Sequence, residues 1–224
     1  MVIEIWSDVV CPWCYIGKVR FDRAIDALTS GPDAVAEPIE VVYRAYQLDP
    51  TAPVGVANPV RDTYAKKFGG YERADRIIEN LTATAREDGI EFRMDVAKRA
   101  NTLLAHRVLW WTGVTHGAAA QSRVKAALLD AYFTRGLDVA DAEVLVPIAA
   151  TAIGCDRSDV ADMLASDVGR GEVREELATA VSHGITGVPT YVIDGAWSIP
   201  GAQDSETFER VIRRTIERKN ASAS

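Results

Sequence analysis

Apolar residues, several of them β-branched, dominate from Val2 to Trp6 and predict a short strand, after which Ser7 to Val10 turn the chain. Between Pro12 and the Gly31-Pro32 break the period lengthens. Cys14, Gly17, Phe21, Ala24, Ile25 and Leu28 recur at spacings of three, four, three, one and three, which is one face of a 3.6-residue repeat. A helix of about 18 residues is expected there, with Pro12 in the first turn, where a missing N–H has no intrahelical partner to lose. Pro38 to Leu48, rich in Val, Ile and Tyr, predicts a second strand, and Pro50, Pro53, Gly55 and Pro59 then break the pattern.

From Val60 to about His183 the pattern is helical. Amphipathic stretches fall near Tyr71 to Arg86, Val96 to Trp111, Gln121 to Thr134, Ala142 to Ile153, Asp159 to Leu164 and Val173 to Val181, with no strand signal among them. Strand character returns at Thr190 to Ile193 and Trp197 to Ile199, joined through Asp194-Gly195, a dipeptide suited to a tight hairpin. A last helix is expected over Ser205 to Arg218, its cations near the end where the helix dipole favours them. With the helical block lifted out, the two ends join into a small α/β unit with a mixed sheet, and no internal repeat offers a solenoid instead.

The chain has 224 residues, 48% hydrophobic and 25% charged, which are ordinary globular values. A formal charge of -7 with no basic run or basic-aromatic stripe argues against nucleic acid and anionic membranes as partners. No apolar stretch approaches the roughly 20 residues of a membrane span, and no basic segment leads into an apolar region and cleavage site at the N-terminus. A cytoplasmic protein, monomer or homodimer, is expected.

Three cysteines in so long a chain cannot build a disulfide framework, and a close pair in a reducing compartment points to catalysis or metal binding. Disulfide exchange needs one thiolate that attacks and a second thiol near enough to resolve the mixed disulfide, and residues three apart in a first helical turn meet that need. Cys11 is the expected nucleophile, exposed at the helix end and made more acidic by the free N–H groups and the dipole. Cys14, one turn deeper on the apolar stripe, is the expected resolving thiol. The competing readings are half of a zinc site or two core cysteines. No second C-x-x-C or H-x-x-x-H motif exists, and His106, His116, His183 and Cys155 are scattered along the chain, so neither a metal nor a cofactor is expected.

Cys11-Pro12-Trp13-Cys14 after a short strand, Asn101-Thr102 with Ala105-His106-Arg107, Gly187-Val188-Pro189-Thr190 and Gly201-Ala202-Gln203 follow one another over nearly the whole chain. In these landmarks the sequence resembles the DsbA-like thioredoxins, and within them the cytosolic FrnE-like group. The resemblance implies a thioredoxin-like α/β fold, discontinuous over residues 1–50 and 186–224, with an all-helical insertion over 51–185 between the second strand and the C-terminal hairpin. It also implies a thiol-disulfide oxidoreductase acting on protein or small-molecule disulfides, glutathione among them. Pro189 would be a cis-proline facing the cysteines, and the backbone of Val188 would pair with substrate. Pro12-Trp13 stands where strongly oxidising relatives carry Pro-His, so a less acidic Cys11 and a weaker oxidant are expected. Ile199-Pro200 precedes Gly201 where relatives often carry a serine.

Asn101 and His106 fall in a segment that lies beside the active site in related glutathione-using and isomerase members, and they join Pro12, Trp13, Val188 and Pro189 as candidate substrate-binding residues. His106 has a second reading as a satisfied structural histidine. Asp8 reads as a residue shaping the loop before Cys11, with a proton relay as the alternative. Trp13 offers a stacking surface. Cys155 reads as a partly buried thiol and Trp110 and Trp111 as core. The competing functions are a glutathione-dependent isomerase or transferase of the same clan and a non-catalytic binding module. Cysteine rather than serine at position 11 speaks against the first, and the intact pair against the second.

Overall fold

Strand β1 (Val2–Ser7) runs through the middle of a mixed sheet in the computed structural model, which describes residues 1–55 and 58–223. Val56, Ala57 and Ser224 lie outside the described residues, so the expected break between Pro50 and Pro59 is seen only at its flanks. Strand β2 (Glu40–Ala45), shorter at both ends than its apolar pattern, pairs parallel with β1 and puts Tyr43 opposite Ile5. Helix α1 (Pro12–Thr29) connects the two. A two-residue strand β3 (Asn58–Pro59) then leads into the helical block: α2 (Val60–Phe68), α3 (Tyr71–Glu87), a two-residue β4 (Lys98–Arg99), α4 (Leu103–His116), α5 (Ala118–Phe133), α6 (Ala142–Ile153), α7 (Arg157–Ala165) and α8 (Arg170–Ser182). The chain returns to the sheet as β5 (Thr190–Ile193), antiparallel to β1, and β6 (Trp197–Pro200), giving the order β2-β1-β5-β6. Helix α9 (Ser205–Ala223) closes the fold. This is the thioredoxin-like α/β architecture with a helical insertion.

The β5–β6 hairpin turns through Asp194 and Gly195, both at positive φ, and Asp194 accepts the Val2 N–H at 2.7 Å. Three expectations change. No helix begins at Val96: Lys98–Arg99 pair with Asn58–Pro59, and the Asn101 side chain accepts the Leu103 N–H at 3.0 Å, which starts α4 there. The short pairing of β4 is also a strand where none was expected. Helix α9 runs to Ala223, so its arginines lie inside it and no basic residue stands in its last turn.

Two cores form. Ile3, Ile5, Phe21, Leu28, Tyr191, Phe208 and Ile212 fill one between the sheet, α1 and α9. The other gathers the insertion helices and takes in Val9 and Ile16 from either side of the cysteine motif. Strand β2 would present an open edge, but the Gln121 amide of α5 caps it: its Oε1 accepts the Tyr43 N–H at 2.8 Å, and its Nε2 donates to the Tyr43 carbonyl at 3.0 Å. Glu176 of α8 accepts the Ala45 N–H at 2.8 Å. Arg107, fully buried on α4, donates to the carbonyls of Met163, Leu164, Ser166 and Val168 and satisfies the end of α7.

Candidate active site

Cys11 is the N-cap of α1, and its sulfur accepts the Cys14 N–H at 3.3 Å. Opposite stands the loop leading into β5, where the Val188–Pro189 peptide is cis and the Cys11 thiol donates to the Val188 carbonyl at 3.5 Å. Pro189 in turn accepts the Gly201 N–H through its carbonyl at 2.8 Å. Three of the four sequence landmarks therefore meet at the head of α1. Gly17 makes the approach possible: a Cβ there would stand 2.7 Å from Tyr191 Oη and 3.1 Å from Pro189 Cγ.

The pair is more enclosed than its sequence suggests. Cys11 is 3% exposed and Cys14 2%, so the nucleophile candidate is covered nearly as well as the resolver, because the Val188–Pro189 loop lies over it. Pro12 is buried, while Trp13 stands 44% exposed between the thiols. Burial, then the hydrogen bond and charge of Cys14, then the Asp8 carboxylate push the Cys11 thiol well above its ordinary value, against the help of the Cys14 N–H. Burial also opposes ionisation of Cys14. There the hydrogen bond from Cys11, the Lys125 ammonium, the Ser7 hydroxyl and the Asp8 backbone prevail and hold it below the ordinary value. Burial and the neighbouring Cys14 and Asp8 thus work against the acidic Cys11 expected from the helix end, and the charges around Cys14 favour its thiolate.

Asp8 has no exposed surface. Its Oδ1 accepts the Val9 N–H and its Oδ2 the Leu48 N–H, both at 2.8 Å, so it shapes the loop as its residue type suggested. His106 Nε2 lies 3.2 Å from Asp8 Oδ1 and 3.0 Å from the Tyr46 carbonyl. Burial opposes the charge on Asp8, but His106, the Leu48 N–H and Lys125 keep the carboxyl below its ordinary value. His106 therefore sits behind the cysteine loop, facing Asp8 rather than solvent. Asn101, half-buried, donates to the Ala52 carbonyl at 3.0 Å and holds the start of α4. Cys155 and the half-buried Trp110 and Trp111 belong to the helical block.

Sequence reasoning missed Lys125, which is fully buried on α5. A signal was available, since Lys125 shares the inward stripe of Gln121, Leu128 and Tyr132 at spacings of four, three and four. A cleft of about 710 Å3 opens beside Pro189 and runs along β6, with Thr186, Val188, Trp197 and Pro200 in its wall.

A cysteine pair at the head of α1, facing a cis-proline loop on this sheet, defines a thioredoxin-fold protein with a helical insertion. The model of the DSBA-like thioredoxin domain matches residues 2–213, and the chain belongs to that family. A probable DsbA oxidoreductase from Streptomyces coelicolor is 33% identical and superposes with a TM-score of 0.83 over 96% of this chain and 89% of its own. The uncharacterized protein YwbO of Bacillus subtilis is 27% identical over 97% of this chain and 98% of its own. Cytosolic disulfide reductase DsbM from Pseudomonas aeruginosa, solved with GSH, shares the fold at a TM-score of 0.67 and 15% identity, over 97% of this chain and all (100%) of its own.

Proposed function

We propose that the protein is a thiol-disulfide oxidoreductase with Cys11 as nucleophile and Cys14 as resolving thiol, working in the cytoplasm as a FrnE-like member of its family. The placing of both sulfurs at the head of α1, with Cys11 against the Val188 carbonyl, is the observation that supports this reading most. The proton shared by the pair passes from Cys11 to Cys14, and the Cys11 thiolate attacks one sulfur of a substrate disulfide. That S–S bond breaks, the first substrate thiolate leaves and takes a proton from water, and a mixed disulfide remains on Cys11. Cys14 gives its proton to water and its thiolate attacks Cys11 Sγ; the Cys11–Cys14 disulfide forms, the bond from Cys11 to the substrate sulfur breaks, and the expelled second thiolate takes up a proton. The substrate gains two electrons and two protons, and run backwards the same steps oxidise a dithiol.

Substrate would enter over Trp13 and the cleft beside Pro189, with the Val188 backbone as its partner. The cleft wall mixes polar and apolar surface in nearly equal parts, which suits an extended peptide as well as a small disulfide. Glutathione, bound in the DsbM structure, is the natural small-molecule probe. Asn101 and His106 serve this site by holding α4 and Asp8. The test is insulin reduction beside reduction of oxidised glutathione, each with wild type and Cys11→Ser. Wild-type turnover that vanishes in the variant is expected. Turnover that survives Cys11→Ser contradicts the assignment, and glutathione-dependent isomerisation without any disulfide turnover would favour an isomerase of the same clan.

A further inference from the structure

Lys125 is a fully buried lysine whose Nζ has no hydrogen-bond partner among the described residues. Leaving an ammonium in that state is costly, and a chain that keeps one gains something from it. A neighbouring lysine shows the ordinary solution. Lys18 of α1, 4% exposed, donates to Asp22 Oδ2 at 2.6 Å and to Ser122 Oγ at 3.0 Å. Both ammonium groups lie over the Tyr43 ring, Lys18 at 5.5 Å and Lys125 at 5.8 Å from its centroid, yet only Lys18 has an ion-pair partner.

The titratable groups in the field of Lys125 come from every element around it: Cys11, Cys14 and Lys18 on α1, Asp8 in the loop before it, and Tyr43 on β2, with His106 of α4 beyond Asp8. Asp8 already accepts two backbone N–H groups and faces His106. Two negative groups therefore share the field of Lys125, the Asp8 carboxylate, which is already engaged, and the thiolate of the cysteine pair, which comes and goes with the chemistry.

We propose that Lys125, reaching in from the insertion helix α5, is an electrostatic positioning residue that holds Cys14 as the thiolate for the resolving step. The proposal rests on the exchange reading of the pair. In that step the Cys14 thiolate attacks Cys11 Sγ of the mixed disulfide, the new Cys11–Cys14 bond forms, and the bond from Cys11 to the substrate sulfur breaks. The negative charge leaves with the substrate thiolate, and Lys125 is left facing Asp8. Burial lowers the Lys125 value below that of an ordinary lysine, while Cys14 and Asp8 oppose this.

The test is titration of Cys14 by thiolate absorbance in a Cys11→Ser background, which needs no turnover and so separates this inference from the exchange reading. Lys125→Met is expected to raise the Cys14 midpoint by about one unit. Lys18→Met, which removes an equal charge that is already paired, should leave the midpoint in place. In the Cys11-intact protein the loss of thiolate is partly offset by higher nucleophilicity, so resolution of a Cys11 mixed disulfide at neutral pH should slow roughly threefold in Lys125→Met. Because the substitution removes an unpaired buried charge, it should keep or raise the melting temperature, and Lys125→Gln serves as the second variant should Met fail to fold. An unmoved Cys14 midpoint, or equal shifts for Lys125→Met and Lys18→Met, overturns the proposal. A wild type without disulfide turnover whose Cys14 still responds to Lys125 overturns the exchange reading instead.

Discussion

Asp8 carries a charge against the cysteine pair, and its role in the loop and its role in the chemistry pull in opposite directions. Its carboxylate organises the turn through the Val9 and Leu48 N–H groups, while its charge disfavours a thiolate on Cys11. Asp8→Asn keeps an acceptor but removes the charge, so the Cys11 thiol should ionise more readily and the reduced pair gain stability. Each unit of that shift corresponds to about 1.4 kcal/mol and at most about 30 mV of more oxidising potential. Potentials in glutathione buffers check this, and an unchanged or lower potential contradicts it. The variant also loses one acceptor lone pair set, at a cost of roughly 1–3 kcal/mol. Because the folded-state value of Asp8 is depressed, its contribution is present above its ordinary value of 3.8 and lost as pH falls through the lowered one. Denaturant unfolding should therefore show a smaller gap between variant and wild type in acid than at neutral pH.

Helix α1 can reach the Val188–Pro189 loop only because no side chain intervenes at Gly17. Helix propensity alone favours Gly17→Ala by about 1 kcal/mol. The buried Tyr191 hydroxyl and the Pro189 ring stand in the way at 2.7 and 3.1 Å, so the variant should instead lose roughly 1–3 kcal/mol. A stabilised Gly17→Ala in urea melts would show that helix and loop do not meet as described. The elements themselves were readable where one period dominates: α1, the β5–β6 hairpin and most insertion helices follow from apolar spacing and turn residues. Tertiary partners decided the rest. The start of α4 depends on Asn101 and on pairing between Lys98–Arg99 and Asn58–Pro59, which no local pattern carries. The cysteine motif and Pro189 were visible as motifs, but the covering of Cys11 by the Val188–Pro189 loop and the unpaired Lys125 exist only once segments distant in the chain pack together.

Across the whole molecule, the cysteine motif lies at the seam of two cores, and Val9 and Ile16 on either side of it join the helical one. We propose that residues 1–50 with 186–224, and 51–185, act as separate units along this seam. Gln121 spans it, replacing a missing strand at the edge of β2. Gln121→Leu leaves the Tyr43 N–H buried without its acceptor and should cost about 1–3 kcal/mol, seen as a lower denaturation midpoint; no change would remove Gln121 from the seam. Charges from both units act on the pair, Asp8 on Cys11 and Lys125 on Cys14. The central claim is that Cys11 attacks and Cys14 resolves. Intact-protein mass spectrometry of Cys14→Ser during turnover of oxidised glutathione tests it most directly. One glutathione adduct on a peptide containing Cys11 is the predicted result, whereas no adduct, or an adduct on Cys155 alone, contradicts it.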